Sequence, residues 1–103
     1  NNALTAAGLE HVARWAVANA SVCQLQRLRL HMNRLGAETG SHIASIIRHS
    51  RNAVREVHLS HNRLRTPDVV TMLEAVAARA AEGLYPFSLG KYRVPCWLRV
   101  EFN

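Results

Sequence analysis

Residues 25–35 read LQRLRLHMNRL, and residues 54–64 read VREVHLSHNRL. The second stretch restates the first. Leu25, Leu28, Leu30, Asn33 and Leu35 fall on Val54, Val57, Leu59, Asn62 and Leu64, each pair 29 residues apart. A constant period of this size marks stacked repeats. Within the phrase, Leu28 and Leu30 alternate with polar residues, and so do Val57 and Leu59. That alternation predicts a short strand with one buried face. The Asn that follows is a turn former and ends the strand.

The repeat continues outward from the phrase. Eight residues after Leu35 stands Ile43, followed by Ile46 and Ile47; eight after Leu64 stands Met72, followed by Leu73 and Val76. These spacings give a helix one apolar face. The second helix has a readable start, with Thr66 as N-cap, Pro67 at the first helical position and Asp68 in the first turn. Asn2 and Leu4 match Asn33 and Leu35 at an offset of 31, and Val12 and Trp15 continue that unit on its helix. At the far end Leu98, Val100 and Asn103 restate Leu28, Leu30 and Asn33. The pattern predicts helices over 6–20, 38–50 and 67–82, and strands over 26–31, 55–60 and 97–102. Parallel strands joined by helical crossovers are the expected topology.

The stretches LQRLRLHMNRLGAETGSHIASII and VREVHLSHNRLRTPDVVTMLEAV resemble leucine-rich repeats. A period of 28–29 residues with a full helix is similar to the ribonuclease-inhibitor-like subclass. The resemblance covers nearly the whole chain except residues 83–94. It implies an α/β fold: a right-handed solenoid, a horseshoe segment with parallel strands on the concave face and helices on the convex one. Residues 1–103 would then be a single domain of about three repeats. Proteins of this pattern include ribonuclease inhibitor, the GTPase activators of Ran, the sensing domains of NOD-like receptors and actin regulators such as tropomodulin. Most hold a protein partner on the repeats. Only the Ran activators are tied to catalysis, through an Arg- or Asn-bearing loop that finds no counterpart here. The resemblance speaks to fold more than to function, because one fold hosts many jobs.

The chain opens on a strand-terminal Asn and closes on another, without the polar caps that repeat arrays need. The pattern therefore predicts a strand before Asn1 and a helix after Asn103, with this chain a piece of a longer array whose neighbouring repeats adjoin both ends. Asn33, Asn62 and Asn103 form an expected structural ladder. A side-chain amide both donates and accepts, so each can satisfy backbone groups in its own turn and in the next repeat.

If Leu28, Leu30 and their counterparts point inward, their neighbours point outward onto the concave face. Stacking predicts three rows: Arg29, His58, Arg99; Arg27, Glu56, Trp97; and His31, Ser60, Glu101. The first is cationic and suits carboxylates or phosphates, which guanidinium groups bind as forks. The bulk charge agrees, with a formal net charge of +6. Twelve of the thirteen basic residues are Arg, and the other is Lys91. A protein partner, with an acidic surface as one candidate, is the expected ligand of the concave face. RNA or a ribonucleoprotein, bound through the same Arg-rich surface, is the alternative. A GC-rich genome would also produce this Arg and Ala content, and Arg14, Arg48 and Arg79 read as the solvated outer faces of helices.

From Asn62 to Asn103 is 41 residues where 29 would suffice. The excess falls in GLYPFSLGKYRV, residues 83–94, read as an inserted loop. Insertions in repeat arrays gather on one face, often the binding face. Tyr85 and Phe87 are expected to cover the edge of the core, and Tyr92, Arg93 and Trp97 to reach a partner. The expected contact set is Arg27, Arg29, His31, Glu56, His58, Tyr92, Arg93, Trp97 and Arg99.

Other chemistries find no motif. The six histidines make no His-Glu-x-x-His, and Cys23 and Cys96 make no Cys-x-x-Cys, so neither a metal nor a cofactor is expected. There is no Gly-rich phosphate loop and no nucleophile motif, so the chain is not expected to be an enzyme. Cys23 and Cys96 lie two repeats apart and should stay unpaired, which suits an intracellular setting, cytoplasmic or nuclear, with an organelle left open. The apolar runs are too short for a membrane span, and the N-terminus does not read as a signal peptide.

Overall fold

The computed structural model describes residues 3–89 and 91–103, and for residues 87–89, 93 and 94 it describes the backbone only. The chain runs α1 (Ala6–Ala18), β1 (Arg27–Arg29), α2 (Thr39–His49), β2 (Glu56–His58), α3 (Thr66–Ala81), β3 (Phe87–Leu89), β4 (Tyr92–Val94) and β5 (Trp97–Arg99). It is an α/β fold with three helices and a three-stranded parallel sheet in the order β1-β2-β5. The register sets Leu28 beside Val57 and Val57 beside Leu98. Helix α2 packs between α1 and α3. No described helix is long and apolar enough to cross a membrane.

The core lies between sheet and helices. Leu28, Val57 and Leu59 come from the strand side, and Ile43, Ile46, Ile47 and Met72 from the helices. Each such side chain contributes roughly 1.5–3 kcal/mol when fully buried. Leu30, Leu98 and Val100 pack against this core half-buried. Val12 and Trp15 differ from their counterparts. Ile43 and Ile46 are buried, yet Val12 and Trp15 are exposed. Helix α1 instead buries Leu9, Ala13 and Ala16, and Val12 and Trp15 stand outside that packed set.

The turn after each strand is built the same way three times. Asn33 Nδ2 donates to the Leu30 and His31 carbonyls, and its Oδ1 accepts from Leu4 N at 3.1 Å. Asn62 Nδ2 donates to the Leu59 and Ser60 carbonyls and back to Leu30 O, while Oδ1 accepts from Leu35 N at 3.1 Å. Asn103 donates to the Val100, Glu101 and Leu59 carbonyls and accepts from the Asn62 and Leu64 N–H groups. The residue before each Asn takes a left-handed backbone: Met32 at φ 56, His61 at φ 56 and Phe102 at φ 61.

The expected start of α3 is displaced by one residue. Arg65, not Thr66, is the N-cap, and the cap hydrogen bond runs backwards, from Arg65 N to Asp68 Oδ2 at 3.1 Å. The other Asp68 oxygen accepts from Gly40 N at 3.2 Å, so one carboxylate serves the N-termini of two helices. Gly40 is required there. A Cβ at Gly40 would meet the Asp68 backbone oxygen at 2.3 Å.

The insertion is not a plain loop. Strands β3 and β4 form an antiparallel hairpin with Phe87 opposite Val94 and Leu89 opposite Tyr92. Tyr85 is buried, and its hydroxyl donates to the Val54 carbonyl at 2.6 Å, which ties the foot of the hairpin to the segment before β2. Burial first, and then the nearby Cys96, raise the Tyr85 hydroxyl pKa far above its ordinary value, outweighing the opposing charge of Arg79. Cys23 and Cys96 are both free thiols.

Candidate functional site: the exposed sheet face

Alternation along three short strands puts two layers of side chains on the face away from the core. The register sets Arg27 beside Glu56 and Glu56 beside Trp97, and then Arg29 beside His58 and His58 beside Arg99. Arg27, Arg29, His31, Glu56, His58, Trp97 and Arg99 thus share one surface. Tyr92 is exposed on the hairpin, in a separate sheet, where Lys91 Nζ lies 5.5 Å from its ring centroid. Arg93 lies on β4, and its side chain is outside the described residues.

The arginines of this face are held by carboxylates. Arg29 Nε donates to Glu56 Oε1 at 3.0 Å, and Arg27 Nε lies 3.6 Å from Glu56 Oε2. Both contacts converge on Glu56, although in register Arg29 faces His58. The hydrogen bond from Arg29 holds the Glu56 carboxyl below its ordinary range, and Glu56 in turn raises Arg29. Arg99 closes on Glu101 in the same strand segment, and that hydrogen bond lowers the Glu101 carboxyl. The expected cationic row is therefore a set of ion pairs.

Between the pairs lies a stack of rings. His31 and His58 stack with centroids 4.4 Å apart. His58 tilts against Trp97 at 6.5 Å, and the Arg99 guanidinium sits 5.5 Å from the Trp97 centroid. Trp97 remains 51% exposed at the end of this stack. His58 Nε2 meets Ser60 Oγ at 2.7 Å. Ser60, expected in the outer row, is buried: it is short and His58 bonds to it from above. Desolvation, then the charges of Arg99 and His31, push the His58 imidazole below its ordinary pKa. His58 therefore favours the neutral form.

Beside Trp97, at the starting ends of β2 and β5, a cleft of about 290 Å³ is lined by Arg27, Arg55, Glu56, Pro95 and Trp97. Sequence reasoning did not find this cleft, because Pro95 and Arg55 lie in the segments leading into the strands. A second cleft of about 390 Å³ runs between α1 and α2, over Ala13, Val17, Ala18, His42 and Ser45. Among the described residues no three His, Cys, Asp or Glu side chains converge as a metal site would require. No family model matches this chain, and no curated protein or solved structure matches it either.

Proposed function

We propose that this chain is a leucine-rich repeat segment of the ribonuclease-inhibitor-like type, and that it acts as a binding or scaffolding module holding a protein partner on its exposed sheet face. The observation that carries this reading is the state of the face. Its three arginines are committed to Glu56 and Glu101, around a tryptophan that is half exposed beside a cleft. A mixed, internally paired surface with an aromatic anchor suits a protein, where a few buried Trp, Tyr and Arg side chains supply most of the affinity. Phosphates would have to compete with two carboxylates for the same guanidinium groups. The repeat assignment is supported by the 29-residue phrase, the parallel register of its copies and the recurring Asn hydrogen bonds.

The test is a matched pair of baits in nuclease-treated extract, the wild-type chain and Trp97→Ala. A protein captured by the wild type is purified, and its affinity measured directly. Loss of about tenfold or more with Trp97→Ala and with Arg99→Ala is expected of contacts at the centre of an interface. Affinity indifferent to both changes would place the partner elsewhere and overturn the proposal. Retention from a parallel untreated extract that nuclease abolishes, and that Trp97→Ala or Arg99→Ala also abolishes, would favour the RNA alternative on this face.

A further inference from the structure

A second surface lies at the turn edge, where the strands give way to the helices. The left-handed backbone at Met32, His61 and Phe102 turns three successive side chains outward, and all three are exposed. His61 and Phe102 stack with centroids 4.7 Å apart, and Phe102 stays 73% exposed. Beside them are Arg34 and Arg63, one residue past Asn33 and Asn62, at equivalent places in the repeat. Both are exposed, and neither has a carboxylate partner among the described residues. This sets them apart from Arg27, Arg29 and Arg99, whose charge is already used on the sheet face. Of the carboxylates nearest this edge, Asp68 is held by Gly40 and Arg65, and Glu101 by Arg99. Glu38 is exposed and pairs with neither Arg34 nor Arg63.

We infer that this edge binds single-stranded nucleic acid, with Arg34 and Arg63 on successive phosphates and the His61–Phe102 pair offering a ring face to a base. Stacking faces interleaved with uncommitted cations are how single strands are held without sequence readout. The stacked pair presents an aromatic face at a fixed place in the repeat, and the net charge of +6 favours a polyanion. Three left-handed residues that are not glycine are backbone strain retained at one repeated position, and it serves to present these side chains. The inference stands apart from the protein-binding proposal, since it uses other residues on another edge.

The test is binding of a fluorescent oligouridylate of about 12 nucleotides across a salt series, beside inorganic polyphosphate as a charge-only competitor. Arg34→Gln/Arg63→Gln should weaken binding about tenfold and lower the slope of log K against log salt by about 1.4, the share of two contacts to a single strand. Arg34→Lys/Arg63→Lys should keep the slope. Phe102→Asn, whose side chain tolerates the left-handed backbone, should weaken binding about fivefold or more while leaving the slope unchanged. The control Arg14→Gln/Arg48→Gln, the same change of charge on exposed faces of α1 and α2, should keep the wild-type salt slope. Edge variants that bind like the wild type would overturn the inference, and so would a helix-face control that lowers affinity and slope as much as the edge variants do. Equal binding by Phe102→Asn, with polyphosphate displacing RNA charge for charge, would overturn the stacking role. The altered side chains are exposed, and circular dichroism melts matching the wild type establish that each variant is folded.

Discussion

Asn62 shows how much one side chain carries in this fold. Its amide meets three carbonyls and one N–H, drawn from its own turn and from the preceding repeat, and it is 8% exposed. Asn62→Ala strands those groups where water reaches poorly, at a cost of roughly 1–3 kcal/mol. Asn33→Ala should cost less, because Asn33 is half-buried and its donors stay within its own turn. Denaturant melts of the two variants check the order, and equal midpoints would contradict it. The residue before each Asn is constrained differently. At His61, with φ 56, an Asn is accommodated but a β-branched side chain clashes with its own backbone. His61→Val should therefore be less stable than His61→Asn by roughly 1–2 kcal/mol.

Elements are joined through Asp68 and Gly40. Burial alone would raise the Asp68 carboxyl, but hydrogen bonds from the Arg65 and Gly40 N–H groups and the Arg65 guanidinium outweigh it, and the net shift is downward. A carboxyl depressed in the folded chain contributes stability above its unfolded value of about 3.9, and that contribution is lost as pH falls through the lower folded value. Asp68→Asn should remove roughly 1–3 kcal/mol at neutral pH and flatten the acid limb of stability below about pH 4. An acid limb unchanged from wild type would sink this assignment. Gly40→Ala should cost roughly 1–3 kcal/mol by forcing α2 away from α3. This joint was only half legible in sequence. Asp68 reads as a first-turn acid of α3, but nothing local says that its second oxygen caps α2, 28 residues earlier. The centres of β1 and β2 were legible because each side chain position repeats at 29 residues, and that of β5 because Leu98, Val100 and Asn103 keep the spacing of the phrase. The hairpin was legible in principle, since Phe87 and Leu89 alternate with Ser88 before Gly90-Lys91, a hairpin signal that the broken period obscured. Ion pairing on the sheet face was not legible. Rows follow from register, but the turn of Arg29 toward Glu56 rather than along its own row is a rotamer choice that period cannot encode.

Across the whole molecule, the distribution of arginine charge decides which surface meets which ligand. Among the described residues Glu56 is the carboxylate that both Arg27 and Arg29 approach, so on the proposed reading it would weaken anion binding at the sheet face and leave the turn edge unaffected. Removing that charge should redirect the molecule. In Glu56→Gln the amide still accepts one hydrogen bond, but two guanidinium groups lose their counter-charge and face solvent beside Trp97. Both guanidinium groups are solvent-exposed although the Glu56 side chain is only 12% exposed, and pairs with exposed cations add little to stability, so Tm should fall only slightly. Binding to a single-stranded oligonucleotide should strengthen, with the slope of log K against log salt steepening by about 1.4 as two further phosphates are contacted. The added binding should be lost again in Glu56→Gln/Arg27→Gln/Arg29→Gln, which carries the same exposed amides without the cations. An unchanged slope in Glu56→Gln would mean that the geometry of the sheet face, rather than its pairing, is what keeps phosphates away. The protein-binding reading would then rest on the shape of the Trp97 cleft alone.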